Sequence, residues 1–556
     1  MHVIAGPLGS GVDDTLFLWL HVQHINPTND RIVFSCPPRA YYVMAALRLA
    51  RLIESIRNLQ PDTPITIVCH SQGNMVAIAA AFLGNELKSS KTQMPCVADT
   101  YVLCNPPYSL LDKNIAQSWT EFGMRDSSGG RGRQTPDARY ETLANFFEII
   151  RNRQATSQSA ELIDKFIKNE LHKFDAQSDR ERHGYGPGKH TAGRVTLYFN
   201  PHDQVISSST IQGIGWRGLC AKEIEVTRGT GVFSQRAFSQ GFEVGKSETY
   251  KFWDNQHNKP EFKKQNFWHP PSPPARYSLR KGLEANENFA GKILTVLTAP
   301  IAIIGLKFFG PPINGSPPEG WETPIDAPPL PAPFVPQSVR FGNISDKFDE
   351  GFDAPGESRD KAKQYEADDP YGGVRPLPGT PKDTTDSMLT DAPKGDSASE
   401  ASLRYEHHAM LRMQARRSGR YGNDTPVKEE DDLKNASEDY KKWRSDKIKY
   451  MMAAAIDTHA TDHSTIMTNP DHAQKALAYD IAVGVCHIPA ADLRILRTTA
   501  DWRYLEALDE DDSNSGFREY FLSGLYKNKT LDSWASEPNH EASMPATIIN
   551  KRAFFK

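Results

Sequence analysis

Ser71 stands in the stretch Cys-His-Ser-Gln-Gly at positions 69–73, whose residue types and spacing are those of a nucleophilic serine. The apolar run at 65–69 has the length of a buried strand, and the alanine-rich run after Gly73 predicts a helix. A serine on the sharp turn between a strand and a helix forms a nucleophile elbow, which attacks acyl carbon atoms. The turn requires small neighbours, and Cys69 stands where glycine is usual. A helix N-cap serine is the plainer interpretation, but the preceding histidine, the Gln-Gly pair and the apolar strand together favour the nucleophile.

The position of Ser71 also predicts a place for an oxyanion. The backbone N–H of Gln72 lies at the predicted N-terminus of the helix, where the helix dipole favours negative charge. We therefore expect Gln72 to be one oxyanion donor. The glycine-rich residues 3–11 are consistent either with a second oxyanion loop or with a plain amino-terminal segment.

A serine nucleophile needs a base and an orienting carboxylate, and in folds with such an elbow the chain order is serine, acid, histidine. Asp203 fits the acid, because it follows a predicted strand at 195–199 by an Asn-Pro-His turn. A simple turn aspartate is the alternative, since aspartate is common in turns. Its neighbour His202 is expected to be a bystander, because adjacent side chains diverge.

Two loop histidines follow Asp203 in a suitable context, His463 and His540. His463 is favoured as the general base, because an amphipathic helix is predicted soon after it, at 472–485. This choice places the base 260 residues after the acid. A large insertion, expected to form a cap over the site, therefore separates the two residues.

Alternating strand and helix patterns must position these side chains. Continuous apolar runs predict parallel strands covered on both faces, and apolar residues at three- and four-residue spacing predict helices. Strands are predicted at 31–35, 65–69, 97–105 and 195–199, and helices at 41–59, after Gly73, at 140–153 and at 160–174. This order predicts an α/β fold with a mainly parallel, doubly wound sheet.

The 556 residues divide into four predicted parts. Residues 1–215 and 451–490 form the core, the second of these carrying the catalytic histidine, and residues 491–556 form a C-terminal helical extension. Residues 216–450 form the insertion. Ten prolines at 311–340 exclude regular helix and central strand there, and 343–440 is a charged, turn-rich linker.

The run at 293–309 is apolar except for threonines and Lys307, and it is short for a bilayer span. Its length favours a buried helix pair or strand pair. The alternative is an apolar flap that contacts lipid, and in that case Ile303 and Ile304 are the candidate contact residues.

The composition argues against several classes of protein. The 65 basic and 69 acidic residues give a net charge of −4, which offers no electrostatic basis for binding nucleic acid. Six scattered cysteines without Cys-x-x-Cys spacing predict neither a zinc site nor a disulfide scaffold. The first residues lack a basic segment followed by a long apolar one, so no Sec signal is expected.

The stretches at 37–53, 66–84, 197–207, 352–373 and 462–484 together are similar to the third family of antibacterial lipase effectors delivered by type VI secretion. The Arg-Ala-Tyr-Tyr, His-Ser-Gln-Gly and Asp-His-Ser-x-Ile motifs are the specific parts of this resemblance. It implies an α/β-hydrolase fold with a mainly parallel sheet and a triad on Ser71, Asp203 and His463. It also implies that the substrates are membrane phospholipids of a rival cell.

The resemblance further implies partners and a route. The protein would be made in the bacterial cytoplasm, loaded on a secretion spike protein, and neutralised by a cognate immunity protein. It would act in the periplasm of the target cell. Two departures from the family pattern are Cys69 at the first elbow glycine and the lack of an upstream strand with a His-Gly oxyanion motif.

These observations predict a serine esterase that acts on phospholipid acyl esters. Ser71 attacks the carbonyl, His463 serves as general base and then general acid, Asp203 holds the imidazole, and Gln72 is one oxyanion donor. This chemistry needs no metal and no other cofactor. The alternatives are a non-lipid carboxylesterase or thioesterase with the same triad, and an inactive hydrolase-like binding module whose insertion is a docking surface.

Overall fold

The structure is a computed structural model of the chain. It describes residues 15–17, 20–25, 39–111, 133–167, 191–239, 241–252, 275–286, 288–310, 312–336, 463–468, 472–500, 516–517, 520, 525–537, 541–543 and 545–553. The predictions made for residues 3–11, 31–35, 168–174 and 343–440, and for His540, lie outside the described residues.

The strands are β1 (Thr15–Phe17), β2 (Leu20–His21), β3 (Thr66–His70), β4 (Thr100–Cys104), β5 (Arg133–Gln134), β6 (Arg194–Phe199), β7 (Phe233–Ala237), β8 (Thr249–Lys251), β9 (Glu322–Pro324) and β10 (Arg552–Ala553). The helices are α1 (Val22–Ile25), α2 (Arg39–Leu59), α3 (Gly73–Glu86), α4 (Pro136–Arg151), α5 (Ala160–Ile167), α6 (Ile214–Arg217), α7 (Ala221–Val226), α8 (Leu279–Ala285), α9 (Phe289–Phe309), α10 (Thr465–Thr468), α11 (Ala478–Asp480), α12 (Ala490–Ala500) and α13 (Leu531–Ala535). The chain also forms a 3-10 helix (Asn152–Thr156) and a π-helical turn (Ala473–Leu477).

The centre of the fold is a four-stranded sheet in the order β3-β4-β6-β7, and all three strand pairs are parallel. Every residue of β4 and β6 is buried, as expected for central strands covered on both faces. The predicted α/β fold with a mainly parallel sheet is therefore confirmed. Because the strands are parallel, the residues that follow β3, β4 and β6 all meet at one edge of the sheet.

Two hydrophobic clusters cover the two faces of this sheet. Alternate residues of β4 and β6 point to opposite sides, so that Leu103 and Leu197 join one cluster while Val102 and Tyr198 join the other. Helices α3 and α4 supply side chains to the first cluster. The second cluster includes Ile466 and the residues around the π-helical turn, so the segment that begins at residue 463 lies on that face.

Strand β7 lies in the range 216–450 that was predicted as an insertion, yet it pairs with β6 along its whole length. The α/β core therefore extends beyond residue 215. The C-terminal residues also contact this core, since α12 and α13 pack against α2 and β10 pairs with β5. The division of the chain into domains stays a prediction.

The amphipathic helix predicted at 472–485 ends earlier, at Asp480. The next residue is extended, and the backbone N–H of Ala482 donates to the Thr66 hydroxyl at 2.9 Å. The N–H of Val485 donates to the Gln158 side-chain oxygen at 2.7 Å. These side chains compete with the helical carbonyls for the backbone donors, and the chain therefore leaves the helix.

The apolar run predicted at 293–309 lies in one helix, α9, so the prediction of a buried helix pair or strand pair was wrong. Large apolar side chains of α9 are exposed, among them Phe289 (80%) and Ile301 (75%), whereas Thr295 and Ala299 are buried. Among the described residues, α9 alone is long and apolar enough to cross a membrane by length and composition. Composition measures how apolar a run is, but it does not tell what covers that run.

A buried ion pair fastens the segment after residue 463 to the sheet. Arg236 of β7 donates from Nε and Nη2 to the two carboxylate oxygens of Asp480, at 2.7 and 2.8 Å. The Tyr198 hydroxyl donates to the same carboxylate. Burial alone would raise the pKa of Asp480, but the Arg236 guanidinium holds this pKa below its ordinary value.

A second buried ion cluster lies at the opposite edge of the sheet, where β4 begins. Asp99 accepts from Arg57 of α2 and from Arg153 of the 3-10 helix, each at 2.8 Å. It also accepts from the backbone N–H of Ile65, at 2.8 Å. One carboxylate therefore joins two helical elements to the start of β3.

Asp480→Asn should lower the free energy of unfolding by about 3–5 kcal/mol, because it leaves the buried Arg236 guanidinium without its counter-charge. The matched control is Glu141→Gln, which changes a carboxylate to an amide in the exposed ion pair with Arg228. That change should cost less than about 1 kcal/mol. Chemical denaturation measures both values, and equal small losses would contradict the role assigned to Asp480.

Candidate active site

Ser71 occupies the turn between β3 and α3 with a left-handed backbone, φ +52°. Non-glycine residues rarely adopt this conformation, and it persists only where the surroundings hold it. Two contacts with Cys104 at the end of β4 hold it here. The Ser71 N–H donates to the Cys104 carbonyl at 3.0 Å. The Asn74 side chain donates both to that carbonyl, at 2.8 Å, and to the Ser71 carbonyl, at 2.7 Å.

Cys69 fits the small-residue position before the serine. A side-chain carbon added at Gly73 would lie 3.9 Å from the Cys69 Cβ, which is an ordinary contact. The Cys69 thiol donates to the Asn74 Oδ1 at 3.1 Å, and burial raises its pKa well above the ordinary value. Cys69 is thus a neutral thiol that helps to orient Asn74.

The structure brings Ser71, His463 and Asp203 together. The His463 Nε2 lies 2.7 Å from the Ser71 Oγ, and its Nδ1 lies 2.8 Å from the Asp203 Oδ2. Because an ionised carboxylate only accepts, His463 donates from Nδ1 and accepts the serine proton at Nε2. Asp203 is fully buried, and the His463 side chain is 14% exposed. This is the arrangement in which a histidine deprotonates a serine and a buried acid stabilises the resulting imidazolium.

The carboxylate of Asp203 is held by the turn that carries it and by the end of β4. Its Oδ1 accepts from the backbone N–H of Val205 and Ile206, at 2.8 and 2.9 Å. Its Oδ2 accepts from the Asn105 side chain at 2.7 Å as well as from His463. Asn105, with φ +49°, was not predicted as a site residue. Its position directly after a buried parallel strand was the available signal.

His70 fixes the main chain of His463. The His70 Nε2 donates to the His463 carbonyl at 3.0 Å, and the two ring centroids are 4.6 Å apart. Burial, followed by the nearby charge of His463, lowers the pKa of His70 to about 4. His70 is therefore neutral near pH 7. It was predicted only as part of the elbow motif.

The remaining predicted residues lie as follows. Gln72 directly precedes α3, so its backbone amide is at the N-terminal end of that helix, and its role as oxyanion donor stays a prediction. His202 is buried with its Nε2 3.2 Å from the Ser239 Oγ. Ile303 and Ile304 are exposed on α9. Within the described part of the chain, no three His, Cys, Asp or Glu side chains are grouped as metal ligands.

The first part of the chain is similar to known secreted effectors. Residues 7–220 match the family model described as the T6SS Tle3 phospholipase effector domain. The chain is also 29% identical over 268 residues to the antibacterial effector protein Tle3 of Pseudomonas aeruginosa strain PAO1, an alignment that covers 43% of this chain. It spans only 33% of the length of that curated relative. The resemblance identified in the sequence is thereby confirmed over a stretch that includes Ser71 and Asp203 but not His463.

His70→Ala should lower the rate constant for fluorophosphonate labelling of Ser71 by roughly tenfold, because one hydrogen bond that fixes His463 is lost. His70→Gln keeps a side-chain N–H donor and should stay within about threefold of the parent protein. Labelling is followed by gel fluorescence over time. Equal losses in the two variants would show that the ring, and not the hydrogen bond, is what matters.

The depressed pKa of His70 also predicts a pH dependence of stability. Between the folded value of about 4 and the ordinary 6.5, the unfolded chain binds more protons at this position than the folded chain does. The contribution of His70 to the free energy of unfolding is thus fully present above pH 6.5 and is lost as the pH falls toward 4. The difference in free energy of unfolding between the parent and His70→Gln should therefore shrink over this range, as measured by denaturation at pH 7 and pH 4.5. A constant difference would contradict the assignment.

Proposed function

We propose that this chain is a serine hydrolase of the α/β-hydrolase type that cleaves acyl esters of membrane phospholipids. The observation that carries the proposal is the continuous chain of hydrogen bonds from Asp203 through His463 to Ser71. The match of residues 7–220 to a phospholipase effector domain supports the lipid substrate. A parallel sheet with an elbow after one strand, the acid after a later strand and the histidine last in the chain supports the hydrolase fold.

The proposed reaction proceeds in two steps on Ser71. Its Oγ attacks the ester carbonyl carbon while the His463 Nε2 takes the hydroxyl proton, and the Gln72 amide stabilises the oxyanion. His463 then gives the proton to the departing lysolipid oxygen, which leaves an acyl-serine. Water, deprotonated by His463, attacks the acyl carbon, and the proton returns to Ser71 as the fatty acid leaves. Asp203 keeps the Nδ1 proton in place and stabilises the imidazolium.

The setting of this activity is proposed from the same relatives. The chain would be an antibacterial toxin that a type VI system delivers from the producing cytoplasm to the periplasm of a target cell. Its partners would be a secretion spike protein and a cognate immunity protein. The residues between β7 and His463 would include the large cap-like insertion, and no role for nucleic acid is proposed.

Ser71→Ala should abolish fatty-acid release from mixed phosphatidylethanolamine–phosphatidylglycerol vesicles, with a loss of roughly 10⁴-fold or more, because the acyl-serine cannot form. The matched control is Ser90→Ala, which removes an exposed serine hydroxyl and should leave the rate unchanged. Free fatty acid is measured by mass spectrometry against time.

Each other outcome would assign a different function to this protein. Equal release by the parent and Ser71→Ala would mean that Ser71 is not the nucleophile. A parent protein that hydrolyses a soluble short-chain ester but releases no fatty acid would be a non-lipid esterase or thioesterase. A folded parent protein that neither hydrolyses an ester nor reacts with a fluorophosphonate would be a binding module.

A further inference from the structure

The distribution of side chains on helix α9 is the reverse of that on a surface helix of a water-soluble domain. Its buried face carries small side chains, Thr295 and Ala299, whereas large apolar side chains point outward. The most exposed of the isoleucine, leucine and phenylalanine side chains are Phe289, Leu297, Ile301, Ile303, Ile304 and Phe308. Contiguous exposed apolar surface of this kind marks a site of interaction.

The small-residue face of α9 is occupied by other parts of the chain. The Asn286 side chain donates to the Thr295 hydroxyl at 2.9 Å. A side-chain carbon at Gly282 of α8 would lie only 2.8 Å from the Thr295 Cγ2, so the two helices are in close contact there. Since one face of α9 packs against α8, only the opposite face is accessible to a partner. Because α8 covers the small-residue face, lipid can reach only the outward face, as it does for a helix that lies in the surface of a bilayer.

The charges of α9 fit an anionic lipid surface. Lys292 and Lys307 are exposed near the two ends of the helix, and residues 288–310 contain no Asp or Glu. Long lysine side chains reach from an apolar helix to phosphate groups at the level of the lipid headgroups. Within the helix, therefore, no carboxylate opposes an anionic surface.

The C-terminal end of α9 is connected to the loop that carries Asp203. Ile313 follows the last residue of the helix by four positions, and its carbonyl accepts from the Ser209 N–H at 2.7 Å. The Asn314 side chain donates to the Gln204 carbonyl at 2.7 Å and also to the Ser207 hydroxyl. The chain that leaves α9 is therefore hydrogen-bonded to the residues directly after the acid.

We propose that α9 docks this protein on anionic phospholipid bilayers, with its outward face inserted among the acyl chains and its lysines at the phosphates. The contacts of residues 313–314 then hold the active-site edge of the sheet beside the membrane. The binding step is independent of the proposed enzymatic function, whereas its benefit for hydrolysis rests on that function.

Vesicle flotation tests the binding step without any hydrolysis when every protein carries Ser71→Ala. The probe is vesicles of phosphatidylethanolamine and phosphatidylglycerol, with neutral phosphatidylcholine vesicles for comparison. Ile303→Glu/Ile304→Glu should reduce the fraction bound to anionic vesicles at least tenfold, because two charges would enter the acyl region. The matched control is Val226→Glu, at an exposed valine of α7, which should bind as the parent does.

A second pair of variants separates apolar insertion from charge. Phe289→Gln/Phe308→Gln introduces no charge and should still weaken binding severalfold. Lys292→Gln/Lys307→Gln should weaken binding to anionic vesicles but leave the weaker binding to phosphatidylcholine unchanged. The proposal is overturned if the Ser71→Ala protein does not float with anionic vesicles, or if the variants at Ile303 and Ile304 bind like Val226→Glu.

Hydrolysis by proteins with intact Ser71 distinguishes failure of this proposal from failure of the enzymatic one. Ile303→Glu/Ile304→Glu should keep kcat/KM for a soluble short-chain ester within about twofold while vesicle hydrolysis falls at least tenfold. Equal loss on both substrates would overturn the docking role, since α9 would then be needed by the site itself. A parent protein that dimerises, and that these substitutions make monomeric without changing vesicle binding, would assign the face to a second copy of the chain.

Discussion

The active-site arrangement depends on the buried ion pair between Arg236 and Asp480. Ser71 and Asp203 follow strands of one sheet, so the sheet itself brings them together. His463 lies at the start of a described segment, and the residues after it pack on one face of the sheet. The Asp480 carboxylate, bonded twice to Arg236 and once to Tyr198, fastens that segment and thereby supports the position of the base.

The parts of the fold that could be predicted are those with an unambiguous local pattern. The runs at 65–69, 97–105 and 195–199 are rich in apolar and β-branched residues, and each overlaps a strand whose ends differ from the predicted ones by at most three residues. Strand β7, Phe-Ser-Gln-Arg-Ala, was missed because its polar side chains are buried through specific contacts. Gln235 bonds to backbone at Leu219 and Pro324, and Arg236 bonds to Asp480. Nothing in the local sequence shows that these partners exist.

The residues of the candidate site also divide into those that the sequence could predict and those that it could not. Ser71 and Asp203 were predictable because chain order and strand ends place them. Between His463 and His540 the sequence could only favour one. The structure places His463 against Ser71 and Asp203, and His540 lies outside the described residues. The roles of His70 and Asn105 could not be predicted, because each depends on a partner far along the chain. His70 contacts the His463 carbonyl, and Asn105 contacts the Asp203 carboxylate. Similarly, the exposure of α9 depends on what the rest of the chain leaves uncovered.

The separation of acid and base along the chain has a consequence for biosynthesis. The 260 residues between Asp203 and His463 take roughly 15–50 s to translate at ordinary elongation rates. Throughout that interval the nascent polypeptide on the ribosome contains the serine and its acid but not the imidazole. The proposed ester cleavage would thus become possible only late in translation, and a polypeptide released by premature termination before this point lacks His463.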